Sequence, residues 1–465
     1  MSSCQNLFNL DYFHTAKYCL SVRLRKIVFT CLALFIVSEI LLLINIQFPR
    51  GLNFDEFHYI PSARQFLSLS ENQNWEHPPL AKILIASGIK LFGDRPFGWR
   101  SVSVFFGSLS LIGMFLWALA LFKNYQTALF VALLTLVNNL LFVQSRIAML
   151  DSFMFAFDVL ALAAFTYSWR ADIEVKKSVR LLAFAGFMFG FATASKWFGA
   201  VPWFGCLFLL LLLKVIQYWG TSFNKVSLWQ SKEGFQDWYS PNILSGLRIS
   251  HILLCLIFIP VLAYFITFIP FFFIKKASGV SYSLYDVLMT VPKMWEGQQR
   301  VVNTHPYMSN WYSWPLMMRP IWYAFDKDGN SIVRGVLMLG NPLIMWSGLL
   351  AVGACLWGWI ARRSWQGFFI LFIYVLFAFS WAVIPRKVAF YYYYFPAGMT
   401  LSLAIAFVFH NWETGKEFFL ENCKWLRWAY FTFALALFIY FYPILAALRI
   451  SSDSFRKWMW FTSWI

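Results

Sequence analysis

The stretch IVFTCLALFIVSEILLLINI, Ile27–Ile46, holds one charged side chain, Glu39, in twenty residues, and its reading decides the class of the chain. A helix needs ~20 predominantly apolar residues to cross the ~30 Å hydrocarbon core of a bilayer. Comparable runs recur as far as residue 450. Of the 465 residues, 60% are hydrophobic, 13% charged and 21% aromatic. Soluble domains hold roughly 45–50% apolar and about 25% charged residues, so the expected class is an all-α polytopic membrane protein. The first apolar run lacks a small-residue cleavage site and follows a polar leader. It is therefore read as a retained helix, not a signal peptide.

Eleven spans are expected, at roughly 27–46, 99–121, 126–143, 148–168, 180–195, 198–217, 249–273, 336–360, 367–384, 388–409 and 428–450. The pair meeting at Ser195–Lys196 also reads as one broken helix. With the N-terminus in the cytoplasm, Lys123, Arg170, Lys176, Lys177, Arg180, Lys225, Lys232, Arg248, Arg362, Arg363, Lys416, Lys424 and Arg427 fall inside. Few cations fall in the short outer turns, as the positive-inside rule requires. The C-terminus then lies outside. The formal charge of +17 describes this topology and attraction to anionic lipid, and nucleic acid is not an expected partner.

The chain reads as a single integral-membrane domain, residues 1–465, with two long outer segments, 47–98 and 274–335. Connections beyond ~12–15 residues are usually functional or disordered. These two are rich in Trp, Tyr, Phe and Pro, which favours order and short interfacial helices. Cys4, Cys19 and Cys423 fall inside and Cys31, Cys206, Cys255 and Cys355 fall in spans, so no disulfide is expected.

Polar groups gather on the outer face. The segment RGLNFDEFHYIP, Arg50–Pro61, places Asp55 and Glu56 about ten residues beyond the first span. NWEHPPLAK brings Glu76, His77 and Lys82. QSRIAMLDSF brings Arg146 in a turn and Asp151 one turn into a span. ASKWFG brings Lys196, HPYMSNWYSWPLMMRP brings His305 and Arg319, and IPRKVAFYYYYFP brings Arg386 and Lys387. A carboxylate at an interface can take a proton from an incoming nucleophile. Cations at the same depth suit a phosphate headgroup. Together they fit a glycosyl transferase whose sugar donor is a polyprenyl phosphate.

The ordered set FDEFHYIPSARQFL, WEHPPLAKILIASGIKLFGDRPFGWR, SRIAMLDSFMFAF, SKWFGAVPW, HPYMSNWYSWPLMMRP and LGNPLIMW resembles the protein O-mannosyltransferase family of the GT-C class, from about residue 50 to 400. That resemblance implies a GT-C bundle and transfer of mannose, with inversion, from a dolichyl- or polyprenyl-phosphate carrier to Ser or Thr hydroxyls on the outer face. It also implies that Asp55 is the base and Glu56 its motif partner. Eukaryotic members carry a lumenal β-trefoil insert in the second long loop. Residues 274–335 are too short for it, which fits bacterial members and a bacterial inner membrane. The partners expected are the lipid-linked sugar, an acceptor protein and membrane lipid.

Each residue also has a plainer reading. Asp55 and Glu56 can cap an interfacial helix. Adjacent residues do not share a helix face, so both need not touch the same group; Asp55 stays the base that the resemblance implies, with Glu56 orienting or binding. His77, Lys82, Arg146, Asp151, Lys196, His305, Arg386 and Lys387 are the candidates for donor phosphate or sugar. Against this, EHPPLAK opens a helix, Arg146 and Asp151 are spaced for an ion pair, and Lys196, Arg386 and Lys387 can be snorkelling cations. Glu76, His77 and His305 are scattered candidates for a divalent metal. Tyr391–Tyr394 and NWYSWP read as interface belts. Glu39 and Asp158 lie deep in spans, where pairing inside the bundle is expected. A transporter would concentrate charge at the midplane of repeated halves. A sister enzyme would pass aminoarabinose or another sugar to a glycolipid such as lipid A.

Overall fold

The computed structural model describes residues 7–170, 173–223, 246–276, 278–300, 305–328, 331–414 and 424–465. Lys225, Lys232, Lys416, Cys4 and Cys423 lie outside them. Among the described residues, ten helices are long and apolar enough to cross a membrane, from Leu24–Leu43 to Trp425–Leu445.

The eleventh expected span is a broken pair. Helices α1 (Leu7–Leu43), α2 (Glu56–Leu67), α3 (Leu80–Phe92) and α4 (Pro96–Phe122) precede α5 (Tyr125–Leu136) and α6 (Asn139–Gln144). The break falls at Asn138, whose side chain caps α6 by accepting from Leu140 N at 3.2 Å. Asn341 Nδ2 donates to the freed carbonyl of Val137 at 3.1 Å. The Tyr125 hydroxyl meets Thr30 at 2.8 Å, and just beyond α6 Arg146 donates to Leu42 O at 3.0 Å. At ~1.5 Å per residue, these two contacts set the α5–α6 pair alongside about 18 Å of α1.

Beyond it run α7 (Leu150–Ser168), α8 (Val175–Ser195), α9 (Ala200–Phe223) and the long stretch Ile249–Phe273, taken as α10. Lys196 is extended (φ −157°, ψ 133°), so α8 and α9 are separate helices joined by a tight turn. In α8, Gly186 and Gly190 let the α10 backbone come close. A Cβ at Gly186 would strike the Cys255 carbonyl, and one at Gly190 would lie 2.7 Å from Ala263 Cβ. Small residues four apart are a common device for close crossing in membranes.

The second long loop departs from the all-helical expectation. It carries the interfacial helix α11 (Leu284–Arg300) and a hairpin of β1 (Ile321–Asp328) and β2 (Ile332–Met338). The short β3 (Ile450–Ser451) adds to it, giving an antiparallel sheet in the order β1-β2-β3. The apolar run that opens the expected span at 336 is therefore strand, and the helix α12 (Pro342–Arg362) begins only after it. The remaining helices are α13 (Trp365–Phe379), α14 (Phe395–Thr414) and α15 (Lys424–Leu445). The last twenty residues fold back over the loop: Trp464 is buried, its indole donating to Met317 O at 2.8 Å.

Cys31, Cys206, Cys255 and Cys355 are free thiols. The pairing expected for Asp158 is not found, because neither of its buried carboxylate oxygens has a partner among the described residues. Glu39 lies beside Ser108, with one oxygen unsatisfied.

Gly186→Leu is expected to push α8 off α10 and cost about 1–3 kcal/mol, the usual penalty of overpacking. Thermal unfolding in detergent should show a lowered Tm, whereas Gly353→Ala, with open space around it, should leave Tm nearly unchanged.

Candidate active site

The two neighbouring acids have opposite environments. Glu56 is fully buried. Its Oε1 accepts from Arg100 Nε at 2.7 Å and from Ala148 N at 3.0 Å. Its Oε2 accepts from Arg100 Nη2 at 2.7 Å and from Asn53 N at 3.1 Å. Arg100 spends its other donors on the carbonyls of Ile46, Pro49 and Gly51. This bidentate pair ties the segment after α1 to α4 and to the turn before α7. The Glu56 carboxylate is thereby saturated, so it has no lone pair free to act as a base.

Asp55 sits one residue earlier, at the N-cap of α2, and lines a cavity of about 630 Å³. Tyr59 and Tyr392 both donate their hydroxyls to its Oδ2, each at 3.1 Å. Among the described residues both bonds fall on that oxygen, leaving Oδ1 to a proton arriving from the cavity. Burial and the nearby Asp55 charge push the Tyr59 phenol well above its ordinary pKa, so it stays a donor. Asp55 owes its placement to Phe54, which has a left-handed φ of +51°. An aromatic residue rarely adopts this region, and such strain collects at functional sites. Edge-to-face contacts with His305, Tyr323, Phe390 and Tyr392, at 5.2–5.8 Å between ring centres, hold it there.

Cations line the far wall. Lys196 is 4% exposed and reaches both carboxylate oxygens of Asp151 at 2.8 Å. Its ammonium also lies 5.0 Å and 4.9 Å from the ring centres of Tyr392 and Tyr393. Arg386 donates to Gln298 Oε1 at 2.8 Å and stands over Tyr393. Gln298, on α11, also donates to Glu76 O at 2.8 Å. A second cavity of about 530 Å³ runs between α9, α10 and α11, with Trp197, Phe204, Val261, Phe265 and Trp295 along it. Glu76, His77, Lys196, Gln298 and Arg386 belong to both walls. An apolar groove thus opens against a polar cavity, with two cations at the join.

Of the residues expected from sequence, Asp55, His77, Lys196, His305 and Arg386 come together on the Asp55 cavity, and Glu76 with them. His77 brings no charge: loss of solvation and the cations Lys196, Arg386 and Lys82 hold its imidazole well below the ordinary histidine pKa.

Four expected donor contacts are corrected. Lys82 is buried and points back into its own loop, donating to the carbonyls of Asn74 and His77, the latter at 2.7 Å. Desolvation brings it down to about 7. Arg146 is spent on the terminal carbonyls of α1, Leu42 and Ile44, and lies over the Phe142 ring. Asp151 pairs with Lys196, so the ion pair with Arg146 does not form. Lys387 points to the exterior and lines neither cavity. Among the described residues, no three of His, Cys, Asp and Glu, Glu76, His77 and His305 included, are grouped closely enough to hold a metal.

The sequence reading missed Tyr59, Tyr392, Arg100 and Gln298. Tyr59 had a signal, being one helical turn beyond Asp55. Tyr391–Tyr394 are all buried, unlike an interface belt, because a 3-10 turn spreads them through the core.

The fold is that of the GT-C membrane glycosyltransferases. It superposes on the Saccharomyces cerevisiae protein O-mannosyltransferase complex bound to the sugar donor with TM-score 0.76, at 14% identity over 94% of this chain and 92% of that one. ArnT from Cupriavidus metallidurans gives TM-score 0.53, at 15% identity over 92% and 77%.

Sequence narrows the class further. Residues 93–274 match the family described as dolichyl-phosphate-mannose-protein mannosyltransferase, and residues 284–464 its C-terminal four-transmembrane region. The polyprenol-phosphate-mannose–protein mannosyltransferase of Mycolicibacterium smegmatis is 26% identical over 88% of this chain and 87% of its own length. The chain belongs to the protein O-mannosyltransferase family.

Replacing Arg100 by Met would strand the Glu56 carboxylate, and breaking a buried pair in this way costs about 3–5 kcal/mol. The folded yield and Tm should fall sharply. Arg64→Ala, which breaks a half-exposed pair with Asp94, should cost about 1 kcal/mol or less.

Proposed function

We propose that this multi-pass membrane enzyme transfers a mannosyl residue from a polyprenyl-phosphate carrier to Ser or Thr hydroxyls of proteins, with inversion at the anomeric carbon. The reaction takes place on the extracytoplasmic face of a bacterial plasma membrane. Mannosyl transfer to protein follows from the family and from relatives that match along most of the chain. The observation that carries the site is the wall shared by the apolar groove and the Asp55 cavity, built around Lys196 and Arg386.

The carrier's tail lies in the groove, which leaves its phosphate at Lys196 and Arg386 and its sugar in the cavity beyond. The acceptor hydroxyl enters beside Asp55. As the bond from the anomeric carbon to the phosphate oxygen breaks, the bond to the acceptor oxygen forms, and the hydroxyl proton passes to Asp55 Oδ1. Polyprenyl phosphate departs with its charge against the two cations. A carboxylate that already accepts two hydrogen bonds is a mild base. Proton transfer therefore comes late, once positive charge has built on the sugar and acidified the hydroxyl. Lys196 is held in place by both carboxylate oxygens of Asp151, so the phosphate meets a donor already positioned at the wall. Arg386, fixed by Gln298, adds a planar donor suited to phosphate oxygens.

Asp55→Asn keeps an acceptor for one tyrosine but removes the base. In membranes supplied with radiolabelled polyprenyl-phosphate mannose, label entering the protein fraction should slow by about 10²–10⁴-fold, with the donor KM within a few-fold of wild type. Tyr392→Phe frees the carboxylate to turn and should lower kcat far less. A well-expressed Asp55→Asn enzyme working at the wild-type rate contradicts the base assignment. Label found only in lipid contradicts the protein acceptor.

A further inference from the structure

A third cavity, of about 570 Å³, lies at the end of the bundle opposite Asp55. Leu24 and Ile27, which begin the apolar part of α1, form one side. Leu119 near the end of α4, Ala163 near the end of α7 and Leu181 near the start of α8 form the rest. Three polar residues close its mouth. Arg170 and Lys177 stand over the Tyr167 ring, at 4.7 Å and 5.2 Å from its centre. The catalytic scheme uses none of these groups.

We propose that this cavity binds one anionic glycerophospholipid of the inner leaflet, its phosphate between Arg170 and Lys177 and an acyl chain along the apolar wall. Two observations favour a lipid over a soluble anion, and the volume suits a bound ligand. The wall is apolar except at the cationic mouth. Leu24 and Phe184 on its rim are 61% and 47% exposed, so the groove opens sideways to the bilayer. Its volume falls within the ~300–1,000 Å³ of built ligand sites. Charge decides between lipid classes. Among the described residues, Arg25, Lys26, Lys176 and Arg180 are exposed on the same ends of α1 and α8, against Glu174, so the rim they form is net positive. A zwitterionic headgroup would carry its own cation into that field. The Tyr167 ring lies within 5.2 Å of both cations, which brings them to one mouth of the groove.

The test uses full-length protein, delipidated in detergent and offered phosphatidylglycerol and phosphatidylcholine of identical acyl chains. Retained lipid is counted by native mass spectrometry. Wild type should prefer phosphatidylglycerol by about tenfold or more, since each cation near a membrane contributes roughly fivefold. Arg170→Gln/Lys177→Gln should lose that preference, and Lys177→Gln alone, at an exposed position, should lose about fivefold. Ala163→Phe, which fills the groove and spares the cations, should lower retention of both lipids. Wild-type preference in the double and single variants would overturn the proposal. So would displacement of the lipid by glycerol 3-phosphate, which would make this a soluble-anion site. Equal displacement by polyprenyl phosphate would also overturn it, assigning the site to the carrier.

Discussion

The ion pair between Glu56 and Arg100 is the constraint from which the rest of the outer face follows. Arg100 gathers three carbonyls of the segment leaving α1, and Glu56 gathers the amides of Asn53 and Ala148. One buried knot thus fixes where α1 ends, where α2 begins and how the turn before α7 approaches them. With Glu56 locked inward, its neighbour must project the other way, into the cavity. Two adjacent carboxylates therefore divide the labour. One is saturated and holds the backbone, while the other keeps an oxygen for chemistry.

The remaining site geometry grows from the same frame. The turn before α7 leads into Asp151, whose carboxylate holds Lys196 in the tight turn between α8 and α9. That turn carries the cation to the boundary between groove and cavity, where Arg386 joins it from the segment before α14. Helix α11 supplies Gln298, which links Arg386 to the loop of Glu76 and His77. Elements far apart in sequence thus converge on the wall to which we assign the lipid-borne phosphate. The enzyme keeps its acid near the bilayer because the donor cannot leave it.

Much of this was legible in the chain. Long apolar runs disclosed the spans, and the sidedness of charge placed Asp55, His77, Lys196, His305 and Arg386 on one face. What escaped depended on distant pairing. Arg100 reads only as a cation at the start of the span expected at 99–121 until Glu56, 44 residues away, is seen to claim it. Tyr392 is 337 residues from Asp55, and a run of four tyrosines carries no mark of which ring turns inward. The strand of residues 332–338 is apolar enough to pass for the start of a helix, because only its cross-strand partners distinguish it. Lys82 and Arg146 misled for one reason: buried loops need donors for their own carbonyls, and a cation near a membrane can be spent there as readily as on a phosphate.

In the proposed reaction the carrier's tail occupies the groove between α9, α10 and α11, with its phosphate at the shared wall. Photo-crosslinking with a polyprenyl phosphate bearing a diazirine a few carbons from the phosphate tests it most directly. Adducts are predicted on residues such as Trp197, Val261 and Trp295, reduced when Lys196 and Arg386 are both replaced by alanine and unchanged in Asp55→Asn. Adducts falling elsewhere on the bundle, or insensitive to loss of both cations, would contradict the account.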